Sequence, residues 1–276
     1  MTIRTPCRPL DITVPFPELT AWARTATRLH PRPGAVAPTD SSVGGPLLWP
    51  AAEEWPVCPE HDGEPLLALA QFHVRDVPDL APFAPPGTDL LQVLWCPRYA
   101  HRDARRSEYG PLTELVWRRS AGVRGPLARP RRPSVAEERY VPVPCVLHPE
   151  QVVEYPYGDY LPEELDLRIQ AWEDELQARI GDLAPWYQYD LSLAPGWKIG
   201  GWDSWHKTDL DRVHCPACGT GMRVLLRIDS YETQASWGPY PEPVQQPTGV
   251  RVGRSGEYRA FACPADPAHP HRMSMQ

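Results

Sequence analysis

The sequence predicts an α+β, β-rich fold in which antiparallel sheet units are internally duplicated and flanked by a few helices. Three observations predict it. The first is a repeat: Gly44-Gly45, Trp49, Cys58-x-x-His61, an apolar run from Leu66 to Phe72, a run ending in Cys96, and His101. The same order returns as Gly200-Gly201, Trp205, Cys215-x-x-Cys218, an apolar run from Val224 to Ile228, a run ending in Cys263, and His269. The second is that the apolar runs are short and bounded by Gly, Pro and Asp, as buried strands are. The third is one long amphipathic helical pattern that opens the second copy.

Length and composition bound the rest. A chain of 276 residues with 42% hydrophobic content can bury a real core in one large or two small domains, and the repeat favours two halves. The divisions expected are an N-terminal segment over 1–40, a first unit over 41–160 and a second over 161–276, packed as one body. A formal charge of −7 argues against a general nucleic-acid surface, which needs clustered Lys and Arg. The N-terminal stretch lacks the apolar segment of a signal peptide, and no apolar run approaches the roughly 18 residues of a membrane span. A cytoplasmic protein is expected.

Along the chain, Leu19, Trp22, Ala26 and Leu29 fall at helical spacing between Pro17 and His30, with Pro31 and Pro33 as stops, which predicts a short amphipathic helix. LLALAQF and LLQVLWC read as strands, and LTELVWRR (112–119) continues the meander. RGPLARPRRPS (124–134) is too rich in Pro and Arg to bury anything and reads as an exposed loop. Leu165, Ile169, Trp172, Leu176 and Ile180 line one face of a helix that Pro162 starts and Gly181 ends, with Glu163 and Glu164 placed to complement its dipole. RVLLRID and EYRAFAC follow as strands, separated by a Pro- and Gln-rich excursion over 238–253 that is long for a compact unit.

Seven cysteines is an odd count, and in a reducing compartment their spacing reads as metal binding. A two-residue spacer lets one tight turn present two ligands to one ion, and thiolate with imidazole in a tetrahedron is the preference of zinc. The first quartet is Cys58, His61, Cys96 and His101. The second is Cys215, Cys218, Cys263 and either His269 or His271, since the spacing admits both. Four protein ligands per ion leave no open position, so the expectation is two structural zinc ions. Cys145-x-x-His148 repeats the half-knuckle spacing with no second pair near it, so Cys145 reads as a small core residue. His148-Pro-Glu150 with Cys215-x-x-Cys218 loosely matches the zinc-deaminase pattern, but His214 stands where that pattern has Pro. Neither glycine pair has a phosphate-loop arrangement; each is followed by tryptophan, which suggests a tight turn against an aromatic.

The segments GGPLLWP, LLALAQF, LLQVLWCPRYAH, PCVLHPE, KIGGW, CPACG and MRVLLRIDS resemble the YwqG-like family of uncharacterised bacterial proteins, from about Ser41 to His269. The resemblance implies a duplicated β-rich α+β fold and no established activity; many members lack the cysteine pairs. The second half, with KIGGW, the Cys-x-x-Cys and a final Cys, is also similar to programmed cell death protein 2, whose relatives act as chaperones of a ribosomal protein, and this implies a protein partner. No nucleophile sits beside a base. The functional expectation is a zinc-stabilised protein-interaction or chaperone/adaptor module, with an enzyme of unrecognised class as the alternative and a nucleic-acid-binding module third.

Overall fold

The computed structural model describes residues 3–99, 101, 110–127, 131–205, 207–233, 237 and 244–276. In chain order its strands are β1 (Arg24–Arg28), β2 (Arg32–Pro33), β3 (Ser42–Val43), β4 (Leu67–His73), β5 (Leu90–Trp95), β6 (Thr113–Arg118), β7 (Cys145–Val146), β8 (Glu150–Glu154), β9 (Lys198–Gly200), β10 (Arg223–Asp229), β11 (Glu257–Ala262) and β12 (Arg272–Met275). They form two six-stranded sheets, ordered β2-β7-β3-β4-β5-β6 and β8-β1-β9-β10-β11-β12, with every pairing antiparallel.

The two orders share a four-strand meander, β3-β4-β5-β6 in one and β9-β10-β11-β12 in the other, while the two remaining strands of each sheet come from different points along the chain. β4 and β5 pair with a register shift between Ala68 and Ala70, and β10 and β11 pair with one between Val224 and Leu226. Aligning these bulges sets Leu67 with Arg223, Gln71 with Arg227 and Gln92 with Arg259 as equivalent positions. A shared bulge in a shared register is a specific feature, because an extra residue inserted in a ladder bends the strand there.

The sheets nevertheless cross the sequence divisions. β1 lies between β8 and β9 in the second sheet, while β2, which follows β1 after three residues, pairs with β7 in the first. Each sheet is therefore completed by a strand that leads into the other. The segment read as a helix over 17–30 is instead a short 3-10 helix, Pro17–Trp22, followed by β1. The helical spacing is a coincidence of two environments: Leu19 packs in the cluster around the long helix, whereas Leu29 packs in the core between the sheets. Thr25 and Thr27, β-branched and suited to a pleated surface, sit in register with Val153 and Gln151.

The inner faces of both sheets meet in one core, with Val43, Phe72, Leu91, Val93 and Trp95 from the first and Ile199, Leu226, Ile228, Tyr258 and Met273 from the second. Helix α1 (Glu163–Ile180) buries Leu165, Ile169 and Leu176, the first two in a cluster with Ile12, Phe16 and Tyr187. Pro162 is its N-cap and Gly181, at φ +60°, its C-cap. Trp172 is partly buried and Ile180 is exposed.

The glycine pairs serve the crossing strands and not the tryptophans. A Cβ on Gly201, at φ +76°, would lie 2.7 Å from Ala26 Cβ, and one on Gly44, at φ +66°, would lie 2.8 Å from the Val143 carbonyl. Only glycine lets the neighbouring strand approach so closely. The expected turn against an aromatic is thus replaced by a turn against a strand. Of the 238–253 excursion, 238–243 lie outside the described residues; Val250 and Val252 are fully buried in the shared core. Of the 124–134 loop, 128–130 lie outside the described residues. Arg124, Arg131 and Arg132 are exposed, and the Leu127 amide donates to the Trp49 carbonyl at 2.7 Å. Among the described residues no helix is long and apolar enough to cross a membrane.

Candidate metal centres

Each sheet carries one group of four Cys and His ligand atoms, all within 4.8 Å of one another. The first joins Cys58, His61, Cys96 and His101. A bridge between Val57 and Pro65 closes the knuckle, in which the Cys58 amide donates to the Glu64 carbonyl at 2.7 Å and the Glu64 amide to His61 at 2.8 Å. Cys96 follows the last residue of β5, so the sheet delivers the third ligand. Cys58 Sγ lies 3.3 Å from His61 Nδ1 and 3.5 Å from His101 Nε2, and Cys96 Sγ lies 3.4 Å from His61 Nδ1. An ion bound at about 2.3 Å to sulfur and 2.0–2.1 Å to nitrogen in a tetrahedron sets S–N edges near 3.6 Å. The spacing fits a metal.

The second group joins Cys215, Cys218, Cys263 and His269. Its knuckle is closed by a bridge between His214 and Gly221, and the Gly219 amide donates to the Cys215 carbonyl at 2.8 Å. Cys263 follows β11 as Cys96 follows β5. Cys218 and Cys263 sulfurs stand 3.6 Å apart, close to the S–S edge of about 3.8 Å for a zinc-sized tetrahedron, and Cys215 Sγ lies 3.5 Å from His269 Nδ1, close to the S–N edge of about 3.6 Å. His271, the alternative to His269, turns its Nε2 to the Thr113 carbonyl at 3.3 Å.

The turn after each knuckle needs a left-handed residue. Gly219 supplies it at φ +72°, and a Cβ there would meet nothing within 4 Å; in the first site Asp62 takes φ +47° and Gly63 φ +71°. Aspartate is among the few residues that tolerate this region.

Electrostatics divides the thiols. Burial, and then the neighbouring Cys58, push the Cys96 thiol up to about 12, whereas hydrogen bonds from the Thr220 side chain and backbone lower Cys218 to about 6. A divalent cation reverses the first effect, because a coordinating thiol is deprotonated outright. Outside the ligand sets, His101 Nδ1 faces the Gly110 carbonyl at 3.0 Å, leaving Nε2 for the ion, and His269 Nε2 faces the Asp266 carboxylate at 3.8 Å.

Cys145 is buried, with its thiol 3.4 Å from the Pro247 carbonyl, and neither it nor His148 enters a Cys/His group among the described residues. The deaminase pattern has no counterpart either, since Cys215 and Cys218 are gathered with Cys263 and His269, away from His148.

A layer of buried charge on the outer face of the second sheet escaped sequence reasoning. Arg28, Lys198, Arg227 and Arg259 are cross-strand neighbours over β1, β9, β10 and β11, all nearly inaccessible. As many carboxylates accompany them. Lys198 Nζ lies 2.5 Å from Glu154, Arg227 Nη2 lies 2.5 Å from Glu257 and 2.7 Å from Asp229, and Arg28 lies 3.5 Å from Glu232. Burial lowers Lys198 to about 8, against the pull of Glu154; burial likewise raises Glu232 to about 7, against Arg28. The available signal was the alternation in RVLLRID, which places Arg227 and Asp229 on one face. Arg227, Asp229 and Glu257 line a cleft of about 210 Å³ with Tyr157, Tyr189 and Tyr231.

No protein-family model matches the chain, and no curated protein matches it.

Proposed function

We propose that the chain is a zinc-stabilised, non-catalytic protein-interaction module, of chaperone or adaptor type, with both zinc ions structural. The observation that carries this reading is the composition of the two ligand groups: each gathers four Cys/His atoms, the full complement of a tetrahedral ion, so no position is left for substrate or water. The donor chemistry, thiolate and imidazole, suits zinc among the available divalent ions. The YwqG-like resemblance accords with the duplicated β-rich fold. A protein partner is supported by the end of α1 and the segment that follows, where Ile180, Leu183, Trp186 and Tyr189 are 45%, 84%, 45% and 47% exposed within ten residues. Exposed apolar groups at that density mark interaction surfaces.

The enzyme alternative draws on the 210 Å³ cleft, which has the polar centre an active site would need. Its carboxylates are committed, however: Glu257 accepts from Arg227 and Ser204, and Asp229 from Arg227 and the Tyr231 amide. The experiment that separates the readings compares proteins captured from the native host by wild type and by Leu183→Glu/Trp186→Ala, with zinc content measured on both. A partner lost in the variant at unchanged zinc content supports the module; an unchanged capture profile overturns it.

A further inference from the structure

A second cleft, of about 350 Å³, opens between β1, β9, the start of β10 and the 3-10 helix Pro78–Phe83. Its lining includes Arg24, Arg223, Asp79, Pro82, Phe83 and Gly200. Unlike the charged layer described above, where cations and carboxylates pair off, these two arginines have no ion-pair or hydrogen-bond partner among the described residues. Each is placed by an aromatic ring instead: the Arg24 guanidinium lies 3.3 Å from the centre of Trp202, and that of Arg223 lies 5.8 Å from the centre of Phe83. Stacking on Trp202 fixes the plane of the Arg24 guanidinium and leaves its edge of N–H donors free, while Arg223 is held at the longer reach of a cation–π contact. Arg223 Nε is buried with no acceptor. Burial first, and the Arg223 charge second, lower Arg24 to about 10, against the opposing pull of Asp203.

We propose that this cleft binds a small organic carboxylate, its head group between Arg24 and Arg223 and its apolar part against Pro82 and Phe83. Charge selects the class. Asp79 lines the same cleft with its oxygens committed to Thr25, Thr27 and Gln151, so the lining itself holds two guanidinium groups and one carboxylate, a single net positive charge; Asp203, which also attracts Arg24, stands outside the lining and accepts from Tyr160 and Trp205. One carboxylate balances it, and a phosphate dianion overshoots. The fork of an arginine also matches the two oxygens of a carboxylate. The cleft volume falls in the range of small-ligand sites, well above what a bare ion fills.

The duplicate copy supplies an internal contrast. By the register equivalences, Leu67 stands where Arg223 stands in the second sheet. The fold therefore does not require arginine at that position. Both cations belong to one copy, at one cleft.

The test uses the zinc-loaded full chain and four probes followed by calorimetry: benzoate, benzamide, inorganic phosphate, and a short peptide with either a free or an amidated C-terminus. Benzoate is expected to bind saturably at one site, with benzamide at least about tenfold weaker, since it lacks the charge. Arg223→Leu, which installs the residue of the other copy, and Arg24→Gln, a separate variant should Arg223→Leu not fold, should each weaken benzoate about tenfold or more. Preference for the free-ended over the amidated peptide, at affinity above benzoate, would assign the carboxylate to a chain terminus; benzoate above both assigns it to a free acid. Equal binding of benzoate and benzamide, phosphate binding more tightly than benzoate, or unchanged benzoate affinity in Arg24→Gln would each overturn the proposal. These readouts do not depend on a protein partner, so they stand apart from the module reading.

Discussion

Arg227 occupies in β10 the position that Gln71 occupies in β4, and the residue opposite it, Arg259, stands where Gln92 does. In the first sheet this pair is neutral: Gln92 Nε2 donates to Gln71 Oε1 at 3.2 Å, and Gln71 Oε1 also accepts from the Leu48 amide at 2.9 Å. In the second it is doubly charged and is balanced by Glu257, Asp229 and the pairs beside them. One backbone therefore supports two chemistries on its outer face.

Replacing Arg227 by the glutamine of the other copy should destabilise the protein by about 3–5 kcal/mol, because Glu257 and Asp229 would stay buried with their cation gone. Urea unfolding measures this. Adding Glu257→Gln should recover part of the loss; strictly additive losses would show that the two residues do not act as a pair.

Metal content is the next expectation. The purified chain should carry close to two equivalents of zinc by elemental analysis, one for each ligand group, and Cys215→Ser should remove one. Because the sites do not exist in the unfolded chain, binding energy appears as folding energy, and chelation or Cys263→Ser should lower the melting temperature. Metal removal with an unchanged melt and circular dichroism spectrum would mean that the ions are not structural.

His30 gives a pH dependence. Burial first, and the charge of Arg28 second, hold its folded pKa at about 3, below the ordinary 6.5. The unfolded chain therefore takes up the proton first, so stability from neutral His30 is complete above pH 6.5 and falls as pH drops toward 3. Near pH 5 the loss is about 2 kcal/mol. His30 sits at φ +43°, which asparagine tolerates, so His30→Asn should keep the fold and flatten the stability profile between pH 6.5 and 5. A profile as steep as wild type would assign the acid sensitivity elsewhere, for example to the metal ligands.

Two glycines with nearly the same positive φ should differ in tolerance. Gly219→Ala bears only the cost of a left-handed residue, about 1–2 kcal/mol, since its Cβ meets open space. Gly201→Ala adds a collision with Ala26 on the crossing strand and should cost more, measurable as a larger drop in urea midpoint. Equal costs would show that β1 yields at that point.

How much of this was legible depended on distance along the chain. β4, β5, β10 and β11 announce themselves as apolar runs, and α1 by its stripe, because those signals are local. The ligand groups were legible for a related reason: each knuckle is fixed by a two-residue spacer, and each sheet returns a cysteine at the end of the next long strand. β1 was read as helix because what makes it a strand lies at 150–154 and 198–200, invisible to a window around Ala26. β2, β3 and β7 are two residues each, too short to carry a period. The buried cations fall at the alternate positions that a half-buried strand gives to solvent, and only the partners gathered by the fold place them inside.

The exchange of strands between the sheets also has a meaning for synthesis. β1 leaves the ribosome well before its neighbours β8 and β9, and β9 closes only when residues 198–200 emerge. At about 5–20 residues per second, β1 spends on the order of ten seconds or longer with both edges unpaired. Within that interval β4 to β6 emerge and can meander, while Ala26, Leu29 and the second sheet's place in the core stand open to water. The nascent chain thus carries an exposed strand as a timed vulnerability, one that ends when the second glycine pair arrives.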